Sequence, residues 1–351
     1  QDIKPEVKTE TEFGLDFRMF DDRFAFGFTS YYNKIVDMLI SVQKAPSTGA
    51  DTQYDNAAEM ENKGLELDGS YRINNSLDFT FNWSTNKNKV LKLTEGTQIL
   101  TLVGGSVSSV AADPSFDGKT HALGALYGTG SVTDDDGKLI LDANGFPQIT
   151  STPVILGDPN PDWRGTFGFN GKINGVSLNV LFEHSQGGDY SPRTQWVLRR
   201  FGTTKETDNE VLLDEDLVNF DGNTIPAGTT VRGHIHDFGG GKVILDETWY
   251  RHGIGGGFGD NQAYNFSIKD ATFTKLREIS IGYDLVHPAI TSMGLSSVTF
   301  RWTGRNLWSR YKELVGVDPA VNQSGVSSGF GLDYFTNPST KSYLFSLTAN
   351  F

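Results

Sequence analysis

Residues 13–28, FGLDFRMFDDRFAFGF, decide the fold. Phe13, Leu15, Phe17 and Met19 alternate with Gly14, Asp16 and Arg18. After Asp21-Asp22 the alternation resumes, with Phe24, Phe26 and Phe28 against Ala25 and Gly27. A period of two puts every large apolar side chain on one face of a strand, and the acidic pair supplies the turn of a hairpin. The other face of the first strand is charged at its middle, which asks for water on that side.

The same pattern recurs outward from this hairpin. Leu65, Leu67 and Tyr71, then Leu77, Phe79, Phe81 and Trp83, alternate with polar residues or glycine. Trp163, Phe167 and Phe169 follow, then Val176, Leu178, Val180 and Phe182. Ile279, Ile281, Tyr283 and Leu285, then Val298, Phe300 and Trp302, precede a final run of Tyr343, Phe345, Leu347, Ala349 and Phe351. The count is about nine strands, each near the roughly 9–11 residues that cross a bilayer at a tilt. Short turns fall near residues 20–23, 74–76, 174–175 and 286–296; long connections occupy about 35–62, 90–162, 188–271 and 309–338. Short turns at one end and long loops at the other are the signature of an outer-membrane barrel. The expected fold is therefore an all-β, antiparallel transmembrane β-barrel wall. Its polar mid-strand residues Asp16, Arg18, Asp68, Arg301 and Arg305 face the lumen. A soluble β-sandwich also alternates, but it does not confine loops of about 80 residues to one end.

Bulk composition agrees. The chain has 351 residues, 40 Gly, 24 Phe and no Cys, with a formal net charge of −13. Mean hydropathy is −0.34, and no run approaches the roughly 18 apolar residues of a spanning helix. Absence of Cys removes disulfides, Cys-ligated metal and Cys nucleophiles. The acidic balance excludes nucleic acid as a partner, because phosphate binding needs clustered Lys and Arg, and Arg199-Arg200 is the longest basic run. The beginning, Gln1-Asp2-Ile3, has no initiator Met and no signal sequence. Nine is odd, and an open sheet edge in lipid leaves backbone groups unpaired. The expectation is that further strands lie upstream and that the break falls in an extracellular loop.

Several ordered segments resemble one family. Lys4-Pro5-Glu6, Thr9–Leu15 (TETEFGL), Tyr31-Tyr32-Asn33-Lys34 and Asn56–Leu67 (NAAEMENKGLEL) are similar to the barrel region of SusC/RagA-type TonB-dependent transporters, with Ala58 where that family usually has Gly. Gly157–Trp163 (GDPNPDW), Phe273–Ser280 (FTKLREIS), Thr303–Leu307 (TGRNL) and Asp333–Pro338 (DYFTNP) extend the resemblance over essentially the whole chain. It implies a 22-stranded barrel around an N-terminal plug, of which residues 1–351 are the C-terminal segment, without plug, TonB box or upstream strands. It also implies a SusD-like lipoprotein lid, TonB acting through the missing N-terminal part, oligosaccharide or peptide ligands, and lipid and lipopolysaccharide around the wall, in the bacterial outer membrane. A terminal aromatic strand, here Tyr343, Phe345 and Phe351, resembles the signal read by the barrel-insertion machinery.

The residues themselves suggest further roles. Loop aromatics Tyr54, Tyr127, Trp196, Trp249 and Tyr250 are candidate ligand or lid contacts, since a sugar ring stacks on an aromatic face; they equally pack loops together. Gly64 and Gly14 lie within strands, where a missing side chain eases bending or close packing. Asp158–Asp162 reads as a rigid turn in preference to a calcium site, and Asp134–Gly137 as the tip of a hairpin. His234 and His236 are a pair without a third ligand, and Gly255–Gly259 lacks the Lys and helix of a phosphate loop. No cofactor or metal is called for, and no nucleophile, base and orienter assemble, so an enzyme is not expected. Two rival classes are a barrel that only anchors adhesive loops, and a soluble carbohydrate-binding or hydrolytic β-protein.

Overall fold

The computed structural model describes residues 3–43, 45, 47, 49–50, 52–253, 262–325 and 329–351. The stretch Gly255–Gly259 lies outside them. Nine strands form one sheet in which chain order is sheet order. They are β1 Val7–Met19, β2 Phe24–Gln43, β3 Thr52–Asn74, β4 Leu77–Leu93, β5 Trp163–Ile173, β6 Val176–Gln186, β7 Phe273–Leu285, β8 Ser297–Tyr311 and β9 Ser342–Asn350. Every neighbouring pair is antiparallel. Within the described residues β1 and β9 are the two edges of the sheet.

Register decides what each face presents. One row across the sheet runs Phe17, Phe26, Gly69, Phe81, Phe167, Phe182, Leu276 and Trp308. The adjacent row, on the opposite face, runs Asp16, Gly27, Asp68, Asn82, Thr166, Glu183, Lys275 and Ser309. A one-residue slip anywhere would mix the two sets. Among the described residues no second layer covers the apolar face: Phe13 is 57 % exposed, Phe300 51 % and Phe345 79 %. Its rings instead pack sideways on one another, as in Phe26–Phe81 at 6.4 Å and Phe79–Phe169 at 5.1 Å.

The short turns follow their residues. Asn174 and Gly175 both have positive φ, 49° and 81°, as a two-residue hairpin turn of the mirror-image type requires. Phe20, Asp21 and Asp22 are also left-handed, at 56° to 60°.

Strand length departs from expectation. β2 has 20 residues and β3 has 23, about twice what a bilayer needs. The supposed long connection at 35–62 is mostly the continuation of these two strands. Two register shifts, between Ile35 and Met38 and between Met38 and Leu39, break the period there. Asp37, at φ 53°, sits in the bulge. A bulge moves later side chains to the other face, so the alternation that marks a strand is lost.

Candidate functional site

The polar face and the long loops meet at one end of the sheet. On that face the FTKLREIS and TGRNL segments interlock. A register shift between Leu276 and Glu278 on β7 opposes Asn306 on β8, itself at φ 52°. The bulge brings Arg277 and Glu278 toward one side. Glu278 pairs with Arg305 at 2.9 Å, and Arg277 pairs with Glu183 and donates to Asn306 Oδ1 at 3.1 Å. Asn306 Nδ2 in turn donates to Thr340 O at 3.1 Å, tying β8 to the chain just before β9.

Above this ladder lies a buried charged knot. Lys275 is 1 % exposed and Asp318 2 %, and Lys275 Nζ donates to Asp318 Oδ1 at 2.5 Å. Ser339 donates through Oγ at 2.5 Å and through its backbone N at 3.1 Å to Asp318 Oδ2, and Ala320 N donates to Oδ1 at 3.0 Å. Burial pushes the Asp318 carboxyl up, but the Lys275, Ser339 and Ala320 hydrogen bonds outweigh it and hold it below its ordinary range. The Tyr190 hydroxyl donates to Val321 O at 2.8 Å, joining the loop after β6 to the same knot.

The long loops form a packed body with its own core. Val107 and Leu126 from the β4–β5 loop, Trp196 and Tyr264 from the β6–β7 loop, and Leu332 from the β8–β9 loop share one buried cluster. Trp196 stacks on Tyr264 at 5.0 Å. Helix α1, Arg193–Arg200, carries Trp196 and occupies the span that Pro192 and Gly202 bracket. Asp333 of DYFTNP, fully buried, accepts from Thr194 N at 3.2 Å in the first turn of α1. Phe335 N donates back to Thr194 Oγ1 at 2.6 Å.

The other sequence-marked segments take the simpler of their readings. Asp158 Oδ1 accepts from Asn160 N at 2.9 Å and from its side-chain Nδ2 at 2.7 Å, fixing the turn that leads into β5. Asp189 N donates to Asp158 O at 2.7 Å and Asp158 N to Asp189 Oδ2 at 2.8 Å. Burial pushes the Asp189 carboxyl up; the Asp158 N–H opposes this, while the charges of Asp158, Asp270 and Asp162 add to it. Asp134 Oδ1 accepts from Asp136 N and Lys138 N at the tip of a small hairpin. His234 Nε2 donates to Glu206 O at 2.7 Å, and His236 packs edge-on against Phe238 at 4.3 Å. Gly64 is needed: a Cβ would strike Thr85 O and the Tyr31 ring. Gly14 is not, since its nearest neighbours would sit at 3.8 Å.

The five loop aromatics divide. Trp196 and Trp249 are buried, Trp249 among Phe146, Phe220 and Phe238, so both pack loops and neither presents a face to a ligand in this conformation. Tyr54 is exposed near the start of β3, and Tyr127 is half-buried edge-on to Phe116 at 5.9 Å. Tyr250 is half-buried and lines a cavity of about 230 Å³ with Arg199, Arg200, Arg232 and Glu247. Burial raises the hydroxyl pKa of Tyr127 and Tyr250. Those arginines were not legible as a group, because Arg232 joins the others only through the folding of the loop. Arg199 pairs with Glu206 at 2.6 Å, and Arg232 donates to Gly202 O at 2.9 Å.

Residues 1–170 match the family described as "TonB dependent receptor-like, beta-barrel". The chain has the strand arrangement of such a barrel wall, with β1–β4 and most of β5 inside the matched residues. It is 25 % identical over 378 residues to "TonB-dependent receptor P3" of Formosa agariphila, covering 99 % of this chain and 34 % of that relative. "TonB-dependent receptor P26" of the same organism is 25 % identical over 369 residues, covering 95 % and 34 %. The chain thus spans about a third of the length of the curated relatives it matches. Among solved structures, "Structure of the RagAB peptide transporter" aligns with a TM-score of 0.66 at 17 % identity, over 99 % of this chain and 35 % of that one. The RagAB importer in its "open-open" state aligns at 0.63 and 17 %, over 100 % and 35 %. At that identity the likeness is one of fold, and it agrees with the SusC/RagA resemblance of the sequence segments.

Proposed function

We propose that this chain is the C-terminal segment of the wall of an outer-membrane, TonB-dependent importer that takes up oligosaccharides or peptides beneath a SusD-like lipoprotein lid. The observation that carries the reading is the division of one nine-stranded sheet into an uncovered apolar face and a charged face, with all the packed loops at one end. An uncovered Phe-rich face suits lipid; a face of Asp, Glu, Arg and Asn suits a wet lumen.

Further strands meeting the edges β1 and β9 complete the barrel, and an upstream plug and TonB box couple it to energy. Binding and gating, not catalysis, are the work of the chain. On this reading Tyr54, Tyr127 and Tyr250 touch ligand or lid, and Trp196 and Trp249, both buried, hold the loops together. Tyr343, Phe345 and Phe351 on and just after β9 serve recognition by the insertion machinery. The RagAB neighbours bear the words peptide transporter and importer in their descriptions, which favours peptide among the two ligand classes.

The test is uptake of labelled peptides and oligosaccharides by cells carrying the intact receptor. Uptake is expected to require TonB and to fall when Tyr54, Tyr127 and Tyr250 are changed together to Ala. Uptake that persists without TonB and plug contradicts an importer and leaves an anchoring barrel.

A further inference from the structure

Helix α1 ends in Arg199 and Arg200, and a cavity of about 230 Å³ opens against that end. Arg199, Arg200 and Arg232 line it together with Phe201, Glu247 and Tyr250. Cations at the C-terminal end of a helix meet the negative end of its dipole, which by itself accounts for Arg199 and Arg200. It does not account for Arg232, which arrives from a separate strand pair, Glu210–Leu212 with Thr230–Arg232.

The carboxylates around the cavity are engaged elsewhere. Arg199 donates through Nε and Nη2 to both oxygens of Glu206, at 2.6 and 3.0 Å. Glu247 accepts from Arg251 at 2.7 Å, and Arg200 donates to Arg251 O at 3.0 Å. Arg232 differs. Its side-on fork, Nε with Nη2, donates to Thr207 O and Gly202 O. Two backbone carbonyls thus hold this guanidinium in place without neutralising it. Among the described residues Arg232 makes no ion pair, not even with Glu210 directly across the strand pair, and its Nη1 has no acceptor. Arg232 is exposed and Phe201 is 68 % exposed, so the cavity opens to solvent. A cationic recess of this kind, in a chain of formal net charge −13, concentrates the field on an incoming anion.

We propose that this cavity binds a carboxylate of the imported ligand on Arg232, with Arg200 lining the same recess and the rings of Tyr250 and Phe201 against the atoms that carry the group. The two oxygens of a carboxylate match the end-on fork of Arg232, Nη1 with the second Nη2 hydrogen, which the side-on bonds leave open. The guanidinium is already fixed by backbone, so little ordering accompanies binding. The group is common to the C-terminus of a peptide and to an acidic sugar. The proposal rests on the importer reading and adds the chemistry that its ligand must carry.

The experiment is isothermal titration of the intact receptor in detergent with four probes: the tripeptide Ala-Ala-Phe, its C-terminal amide, trigalacturonate and the methyl ester of trigalacturonate. At least one free acid should bind about tenfold or more tighter than its uncharged counterpart, and Arg232→Gln should remove that preference. Arg232→Lys should keep part of it, since charge remains while the fork is lost. A preference confined to the peptide or to the sugar supports the site and names the source of the carboxylate. Absence of any preference in the wild type, a measurement that needs no variant to fold, overturns the proposal, as does an equal preference in Arg232→Gln. TonB-independent uptake by cells, with the acid preference intact, would instead remove the importer reading and leave the carboxylate site standing.

Discussion

Replacing Lys275 by Met tests whether the buried knot fastens the β8–β9 loop to the barrel. Removing one partner of a buried ion pair costs about 3–5 kcal/mol, because the other charge is left unpaired. Asp318 keeps the Ser339 hydroxyl and two backbone N–H donors, so the lower end, about 3 kcal/mol, is the appropriate figure. If the loop opens locally, that cost appears as a more than hundredfold rise in amide exchange at Ser339, Ala320 and Val321. Exchange of amides inside β4 and β5 should not change. The double variant Lys275→Met/Asp318→Leu should recover most of the protection, since an apolar pair replaces the ionic one without a stranded charge. The logic fails if Lys275→Met stays within about threefold of wild type, or if the double variant is as loose as the single one. A pH arm follows from Asp318, whose carboxyl is held below its ordinary range. Its contribution is fully present above about pH 4 and is lost as pH falls through its lower folded value. Pepsin should therefore begin to cut residues 312–341 of the wild type only in that acid range.

Trp196→Ala should empty the junction of the three loops at a cost of about 3–5 kcal/mol, read as faster proteolysis of all three loops together; cleavage of one alone would contradict a shared core. Gly64→Val should impair assembly, seen as lost heat-modifiable gel mobility, because Thr85 O and the Tyr31 ring fill the space a side chain needs, whereas Gly14→Ala should be silent. Asp189→Asn should keep its acceptor for Asp158 N and remove the charge that burial and three neighbouring aspartates disfavour. Because the folded carboxyl is raised, wild-type loop stability declines as pH rises through that value; the variant should match wild type near pH 3.5 and exceed it at pH 7, and an excess at acid pH alone would refute the account.

The wall was legible because lipid on one side and water on the other force strict alternation, and Phe13–Met19 or Leu77–Trp83 obey it. The hidden parts are where a bulge or a distant partner decides. Ile35–Gln43 and Thr52–Met60 are strand, but the shifts around Met38 and between Glu59 and Met60 scramble the period. DYFTNP was recognisable as a string, yet its task, capping a helix 139 residues away, exists only once the loops have met. Trp196 and Tyr127 look alike on paper; only the packing of Val107, Leu126, Tyr264 and Leu332 separates a buried prop from an accessible ring.

Pairing also carries information that no single strand holds. The row through Met19, where the apolar band of β1 ends, continues through Phe24, Tyr71, Phe79, Phe169, Val180, Ile279 and Gly304 to Tyr343, where the band of β9 begins. The band therefore slides by about six residues, roughly 20 Å at ~3.3 Å each, while crossing spacings that total roughly 38 Å at ~4.8 Å each. That is a tilt of about 30°, near the 35–45° of membrane barrels. A flat bilayer explains the slide: the greasy band must stay level while tilted strands carry each register row out of the membrane. A soluble sandwich has no level to keep, so its apolar positions would follow the inter-sheet core. Shifting the end of the band on its own face, for example by Tyr343→Ser/Phe345→Thr, should leave the backbone pairing intact and impair insertion in vesicles. Normal insertion of that variant would show that the bilayer does not set the position of the band.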